Sequence, residues 1–131
     1  MAQPTLGVML YVRDLKRSVA FYRDVMGFEF QGWWDDVNAK VVDDYDDLAQ
    51  PPGYAEVRVG EQSLGLHPAE SITVGEVVVH LVVDDIRAFH ATVQAAGAEP
   101  SEPQLMPWGE WMFTVKDPDG HAWGICQPAH E

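Results

Sequence analysis

One structural pattern occurs twice along the chain. A β-prone run, an aspartate, a helical segment and a glycine follow one another in residues 6–27 and again in residues 76–97. Asp14 corresponds to Asp85, and Gly27 to Gly97 after a one-residue contraction. Aspartate caps first-turn amides, and glycine tolerates the positive φ that ends a helix. The repeat predicts two copies of one folding unit.

Three further predicted strands follow each helix, so each copy has the order βαβββ. In the two copies these strands occupy residues 28–34, 54–59, 62–67, 98–105, 110–116 and 121–127. A chain of 131 residues is large enough for one compact core. We therefore expect a single α+β domain, residues 1–131, made of tandem βαβββ modules at about residues 5–68 and 76–128.

The two copies differ in the connection after the second strand. In the first copy, residues 35–52 form a long acidic connection, which predicts either a functional loop or a solvated loop that its charges keep extended. In the second copy, the sequence Asp-Pro-Asp-Gly at residues 117–120 lies between two apolar runs. Proline fixes φ and glycine accepts a positive φ, so this segment predicts a β-hairpin.

Composition narrows the classes of function. The formal net charge of −13 repels phosphate backbones and attracts cations, which argues against nucleic-acid binding. No apolar run is long enough to span a bilayer, and residues 1–6 do not resemble a secretion signal, so we expect a cytoplasmic protein without a membrane role. The single cysteine, Cys126, excludes an intrachain disulfide and is expected to act as a small hydrophobe.

The order of several short motifs resembles a known family. Val-Arg-Asp-Leu at residues 12–15, Ala-Phe-Tyr-Arg-Asp-Val-Met-Gly-Phe at 20–28 and Trp-Gly at 108–109 precede Val-Lys-Asp-Pro-Asp-Gly at 115–120. Together they resemble the vicinal oxygen chelate superfamily, which includes glyoxalase I, bleomycin-resistance proteins and extradiol dioxygenases. The resemblance extends from about residue 6 to 127. It implies curved mixed sheets around a cleft, and a homodimer.

Metal enzymes of that superfamily bind a divalent ion through side chains of the first and last strands of each unit. Carried onto this chain, those four positions hold Gly7, Gly65, Val78 and Gly124. Glycine and valine lack donor atoms, so we expect no metal and no cofactor. The alternative is an atypical site using His67 and His80, each two residues beyond one of these positions.

Strand alternation predicts which side chains face the cleft. The glycines leave room for a bulky organic ligand, although glycine also marks bulges and tight curvature. Tryptophans on the rims are suited to stacking on a planar ligand. The candidate ligand-binding residues are Met9, Tyr11, Trp33, Trp34, His67, His80, Trp108 and Trp111. Since Trp33 and Trp34 are adjacent, a regular strand cannot turn both inward.

The sequence favours binding over catalysis. We expect a metal-independent protein that sequesters a bulky aromatic small molecule, with acidity favouring a cationic one, as in antibiotic resistance or self-protection. The alternative is a glyoxalase- or dioxygenase-like enzyme with an atypical metal site or with His80 or Glu56 as a metal-free base. For Glu56, a plain cross-strand ion pair is the simpler interpretation.

Overall fold

A computed structural model describes residues 7–75 and 77–128. The chain divides between Ile72 and Thr73 into two compact units. Predictions for residues 1–6 and for Glu76, including where the first strand of each module begins, lie outside the described residues. Within the described part, no helix has the length and apolar character needed to cross a membrane.

The first unit is a five-stranded mixed sheet in the order β1-β5-β4-β2-β3. β1 runs parallel to β5, and the other neighbours are antiparallel. The strands are β1 (Val8–Val12), β2 (Glu29–Asp35), β3 (Lys40–Val42), β4 (Ala55–Val59) and β5 (Gln62–Pro68). All four strands expected in this module are present, and β3 is an addition.

A helix follows β1 as the repeat predicts. The Asp14 carboxylate accepts a hydrogen bond from the Arg17 amide at 3.1 Å, which confirms the cap of α1 (Leu15–Ala20). The helix then widens into a π-helical turn, Phe21–Val25, and Gly27 ends it at a φ of 75°. The prediction of one regular helix missed this turn. Val19 is fully buried and anchors the segment in the core.

The acidic connection is more ordered than a solvated loop. Asp35 turns the chain into β3, because its carboxylate accepts hydrogen bonds from the amide of Val37 at 2.9 Å and from the side chain of Asn38 at 2.9 Å. Farther along, the ring of Tyr45 lies edge-on to Trp33, with 5.1 Å between centroids. The Nζ atom of Lys16 lies over the Tyr45 ring, 4.8 Å from its centroid. Aromatic contacts therefore hold this connection against its own unit.

The Asp35 turn makes stability depend on pH. Hydrogen bonds from Asn38, ahead of those from Val37, lower the pKa of Asp35. Because the pKa of Asp35 is lower in the folded state, its ionised carboxylate stabilises the fold at pH values above the ordinary aspartate pKa of about 4. This stabilisation is lost as the pH falls through the pKa of the folded state. We expect Asp35→Asn to lower the urea midpoint at pH 6, and the difference from wild type to shrink toward pH 3. The equal charge change Asp46→Asn is the control; matching pH profiles for the two variants would contradict the assignment.

The second unit is a four-stranded mixed sheet in the order β6-β9-β8-β7. β6 is parallel to β9, and the remaining pairs are antiparallel. The Asp85 carboxylate accepts a hydrogen bond from the Ala88 amide at 3.0 Å, which confirms the second helix cap. The elements are β6 (Val78–Val82), α2 (Ile86–Ala95), β7 (Gln104–Leu105), β8 (Glu110–Lys116) and β9 (Ala122–Pro128).

The predicted hairpin joins β8 to β9. Asp117 Oδ1 accepts hydrogen bonds from the amides of Asp119 at 2.9 Å and His121 at 2.8 Å, and Gly120 adopts a φ of 95°. The strand expected at residues 98–105 was mostly wrong, since only Gln104–Leu105 forms a strand there; before it, the Ser101 amide donates to the Thr114 carbonyl at 2.9 Å. Its prolines, Pro100 and Pro103, have no amide hydrogen to donate to a neighbouring strand.

Candidate functional site

One face of the first sheet carries the side chains that alternation predicts for a lining. Met9 pairs with Gly65 and Tyr11 with His67 in the parallel register of β1 and β5. Met9 and Tyr11 are each 48% exposed, and the rings of Tyr11 and His67 lie edge to face at 5.4 Å. The structure thus brings three of the predicted ligand-binding residues to one exposed patch.

A pocket of about 420 Å³ opens on the first unit. Its volume is in the range of small-molecule sites, about 300–1,000 Å³. Register places Glu56 opposite both Gly65 and Gly32, and Val41 opposite Trp34, on the same side of the sheet. The lining residues are Gln31, Gly32, Trp34, Val41, Tyr54 and Glu56.

The two adjacent tryptophans have different environments. Trp33 is 5% exposed and packs in the core against Phe30, with 5.0 Å between ring centroids. Trp34 lines the pocket. Between Phe30 and Gly32 the register of β2 shifts by one residue, but alternation resumes beyond this bulge. Of the pair, Trp34 alone lies where a ligand in the pocket would meet it.

Gly65 does not leave empty space, contrary to the expectation for a glycine at this position. A Cβ atom on Gly65 would lie 2.8 Å from Cε1 and 2.9 Å from Cζ of Tyr54. The Tyr54 ring therefore crosses the sheet over the glycine, where a side chain at position 65 would otherwise stand. The sequence expectation of open room is corrected to an aromatic wall.

Glu56 is held by two hydroxyl groups. Tyr54 donates to Oε1 at 3.3 Å and Ser63 donates to Oε2 at 3.2 Å. Burial, followed by the charge of Glu56 and its hydrogen bond, raises the pKa of Tyr54, which keeps the phenol protonated as a donor. Arg58 donates instead to the backbone carbonyl of Glu61 at 3.2 Å. In place of the expected cross-strand ion pair, two neutral donors hold Glu56.

The second unit has a corresponding face. His80 pairs with Gly124, and a Cβ atom on Gly124 would lie 3.1 Å from Cδ2 of His80 and 2.5 Å from Cε of Met112. His80 and Val78 are both exposed. The space over Gly124 is thus filled by the His80 imidazole and by the Met112 thioether, and the methionine side chain can change rotamer more readily than the Tyr54 ring.

The remaining predicted tryptophans do not join that face. Trp111 lies three residues from Thr114, which pairs with Gly124, so alternation turns it to the opposite side. There the guanidinium of Arg87, from α2, lies 5.3 Å from its ring centroid. Trp108 is 66% exposed before β8 and donates to Glu110 at 3.0 Å.

At the four positions that the sequence resemblance assigns to metal ligands, the residues present do not fit a divalent ion. Three are glycines and the fourth is Val78, and none has a donor atom in its side chain. Throughout residues 7–75 and 77–128, no three His, Cys, Asp or Glu side chains are grouped to hold a metal.

Cys126 is buried, and burial, ahead of the influence of Glu110, raises the pKa of its thiol.

Sequence reasoning missed four pocket residues: Gln31, Gly32, Val41 and Tyr54. Tyr54 precedes Glu56 by two residues, so strand alternation places both side chains on the same face of the sheet and could have predicted Tyr54. Val41 carried no comparable signal, because its position depends on the pairing of β3 with β2.

Two successive mixed sheets, each with its first strand parallel to its last and a helical segment after the first strand, define the structural class. This chain belongs to the Glyoxalase/Bleomycin resistance protein/Dioxygenase superfamily, whose family model matches residues 6–125. That superfamily includes binding proteins as well as enzymes. No curated protein sequence matches the chain significantly.

Solved structures share the fold at low sequence identity. The bleomycin resistance determinant encoded on transposon Tn5 superposes with a TM-score of 0.70 at 19% identity, covering 96% of this chain and 98% of that one. TnmS3, an antibiotic binding protein from a Streptomyces species, gives 0.66 at 22% identity, with coverages of 98% and 99%. Lactoylglutathione lyase from Agrobacterium tumefaciens gives 0.68 at 20% identity, with coverages of 96% and 94%. These similarities show the fold.

Proposed function

We propose that this protein binds a bulky aromatic small molecule without a metal and sequesters it. The observation that carries the proposal is the pocket of about 420 Å³ in the first unit. Two aromatic side chains, Trp34 and Tyr54, and one carboxylate, Glu56, contribute to its lining. Aromatic walls provide stacking area, and a few polar groups fix orientation.

The charge of the chain favours cationic ligands. Its formal net charge is −13, and acidic side chains are concentrated in the connection that supplies Val41 to the pocket. Such a field raises the local concentration of cations and their rate of encounter. An aromatic ligand with positive charge would therefore be attracted by the negative charge of the protein and would stack on the aromatic walls of the pocket. Antibiotic resistance or self-protection is the role we propose for such binding.

Removing the Trp34 side chain tests the proposal. A suitable probe is 9-aminoacridine, a planar aromatic cation at neutral pH, titrated by isothermal calorimetry. We expect Trp34→Ala to weaken binding by roughly 10-fold or more, because stacking and apolar burial together contribute about 1.5–3 kcal/mol. Trp108→Ala removes a tryptophan outside the pocket and is the matched control.

Two outcomes would count against this assignment. Equal weakening by Trp34→Ala and Trp108→Ala would show that the probe does not use the pocket. Failure of the wild-type protein to bind the probe at millimolar concentration would remove support for binding of planar cations altogether.

An enzymatic role is the second candidate, favoured by the position of Glu56 in the pocket wall. A carboxylate at the edge of an aromatic pocket is placed to accept a proton from a bound substrate. In this alternative the protein is a lyase, isomerase or dioxygenase of the superfamily type. Product formation from a bound ligand, lost in Glu56→Gln and insensitive to chelators, distinguishes catalysis by Glu56 from sequestration. His80, on the second unit, is the other candidate base.

We also propose that the protein is a homodimer, as the family resemblance implies, and that it resides in the cytoplasm. Size-exclusion chromatography with light scattering tests the assembly: a mass of one chain at micromolar concentration contradicts it.

A further inference from the structure

The pocket joins three features that the aromatic character of its walls does not explain. Gly65 stands where metal enzymes of the superfamily carry a ligand, the Tyr54 ring lies over that glycine, and the Tyr54 hydroxyl donates to Glu56. Any side chain at position 65 would occupy the space of the ring, because a Cβ atom there would approach Tyr54 Cζ to 2.9 Å. The loss of the ligand and the placement of Tyr54 are therefore physically linked.

The hydrogen bonds of Glu56 leave part of its carboxylate available. A carboxylate has about four lone-pair sites on its two oxygens. Tyr54 and Ser63 use one site on each oxygen, at 3.3 and 3.2 Å, and both donors are neutral. These two donors orient the carboxylate. Among the described residues, neither of its hydrogen-bond donors is a cation, so they do not neutralise its negative charge. A protonated nitrogen with N–H donors is the ligand group that satisfies such a carboxylate.

We propose that glycine at position 65, where metal enzymes of the superfamily carry a ligand, makes room for the ring of Tyr54. Tyr54 and Ser63 then orient Glu56 to bind a protonated nitrogen on a planar aromatic ligand. This inference rests on the proposed function and specifies the ligand class of the same pocket. Glu56 is the residue that selects for charge, and Tyr54 acts as both wall and positioning residue. Gly65 acts through Tyr54, without touching the ligand.

A pair of probes of similar shape tests the selection for charge. Acridine is neutral at pH 8, and 9-aminoacridine is cationic. By calorimetry, the wild-type protein is expected to bind the cation about 10-fold or more tightly than the neutral ring, since hydrogen bonds to charged groups are among the stronger ones. Glu56→Gln keeps the shape of the side chain and is expected to remove most of that preference, measured as the ratio of the two dissociation constants.

Glu61→Gln is the matched control, because it removes the same charge from an exposed side chain outside the pocket lining. It is expected to retain the preference. Tyr54→Phe keeps the ring but removes the donor, and is expected to reduce the preference without abolishing acridine binding. Gly65→Ala displaces the ring and is expected to weaken both probes.

The outcomes separate this inference from the proposed function. If both probes bind the wild type equally, or if Glu56→Gln and Glu61→Gln lower the preference equally, the inference is overturned and aromatic binding stands. If neither probe binds, both are overturned. Should Glu56→Gln fail to fold, as judged by circular dichroism, an unchanged preference in Tyr54→Phe overturns the positioning of Glu56, and a reduced one supports it.

Discussion

Phe113→Ala is expected to lower the free energy of unfolding by about 3–5 kcal/mol. Phe113 is 1% exposed and belongs to the buried core of the second unit. Its ring contacts His90 from α2 edge-on, with 5.0 Å between centroids, and lies 6.4 Å from the ring of Phe89. Alanine removes apolar burial and leaves a cavity between helix and sheet that the surrounding strands cannot fully close.

Urea denaturation followed by circular dichroism measures the effect. Trp108→Ala provides the control, because Trp108 is 66% exposed and its truncation is expected to change stability by about 0.5 kcal/mol or less. Similar midpoints for the two variants would contradict the placement of Phe113 in the core.

The second large effect is expected at Gly32 in the pocket wall. Gly32 adopts a φ of 142°, which side chains rarely tolerate, and a Cβ atom there would lie 3.1 Å from the carbonyl oxygen of Val42 and would overlap the side chain of Val41. The costs of backbone strain and of overpacking add together, so Gly32→Ala is expected to lower the free energy of unfolding by about 2–4 kcal/mol. Because Val41 lines the pocket, the same substitution is expected to weaken ligand binding.

Gly75→Ala is the matched control, because it adds the same methyl group at a glycine that has neither a positive φ nor a close neighbour within the described part of the chain. A Cβ atom on Gly75 would meet no heavy atom of the described residues within 4 Å, and the φ of this glycine is not positive. Its replacement is expected to change stability by about 1 kcal/mol at most, with stabilisation as the favoured direction. Thermal unfolding of both variants provides the comparison, and equal melting temperatures would show that Gly32 is not constrained by β3.

Much of the fold could be predicted because its signals are local. The two helix caps, Asp14 and Asp85, and the hairpin at Asp117 depend on residues within a few positions of one another. The exposed faces of β1 and β6 follow from the two-residue period of a strand, which placed Tyr11 and His80 on exposed faces.

The pocket was less predictable because it depends on contacts between distant segments. Nothing local indicates that the ring of Tyr54 lies over Gly65, since this requires the pairing of β4 with β5. The strand β3 arises from a turn built by Asp35, within a segment whose composition is typical of a solvated loop. The face on which Trp111 lies was equally hidden, because it depends on the register of β8 against β9.

We propose that the first unit binds an aromatic cation without a metal. The most direct measurement is the dissociation constant of 9-aminoacridine for protein dialysed against chelator, compared with the same protein after addition of zinc, manganese or magnesium. We expect one site per chain, lost in Trp34→Ala, with dissociation constants that agree within about two-fold across all conditions. Binding that develops only when a divalent ion is added would contradict the claim.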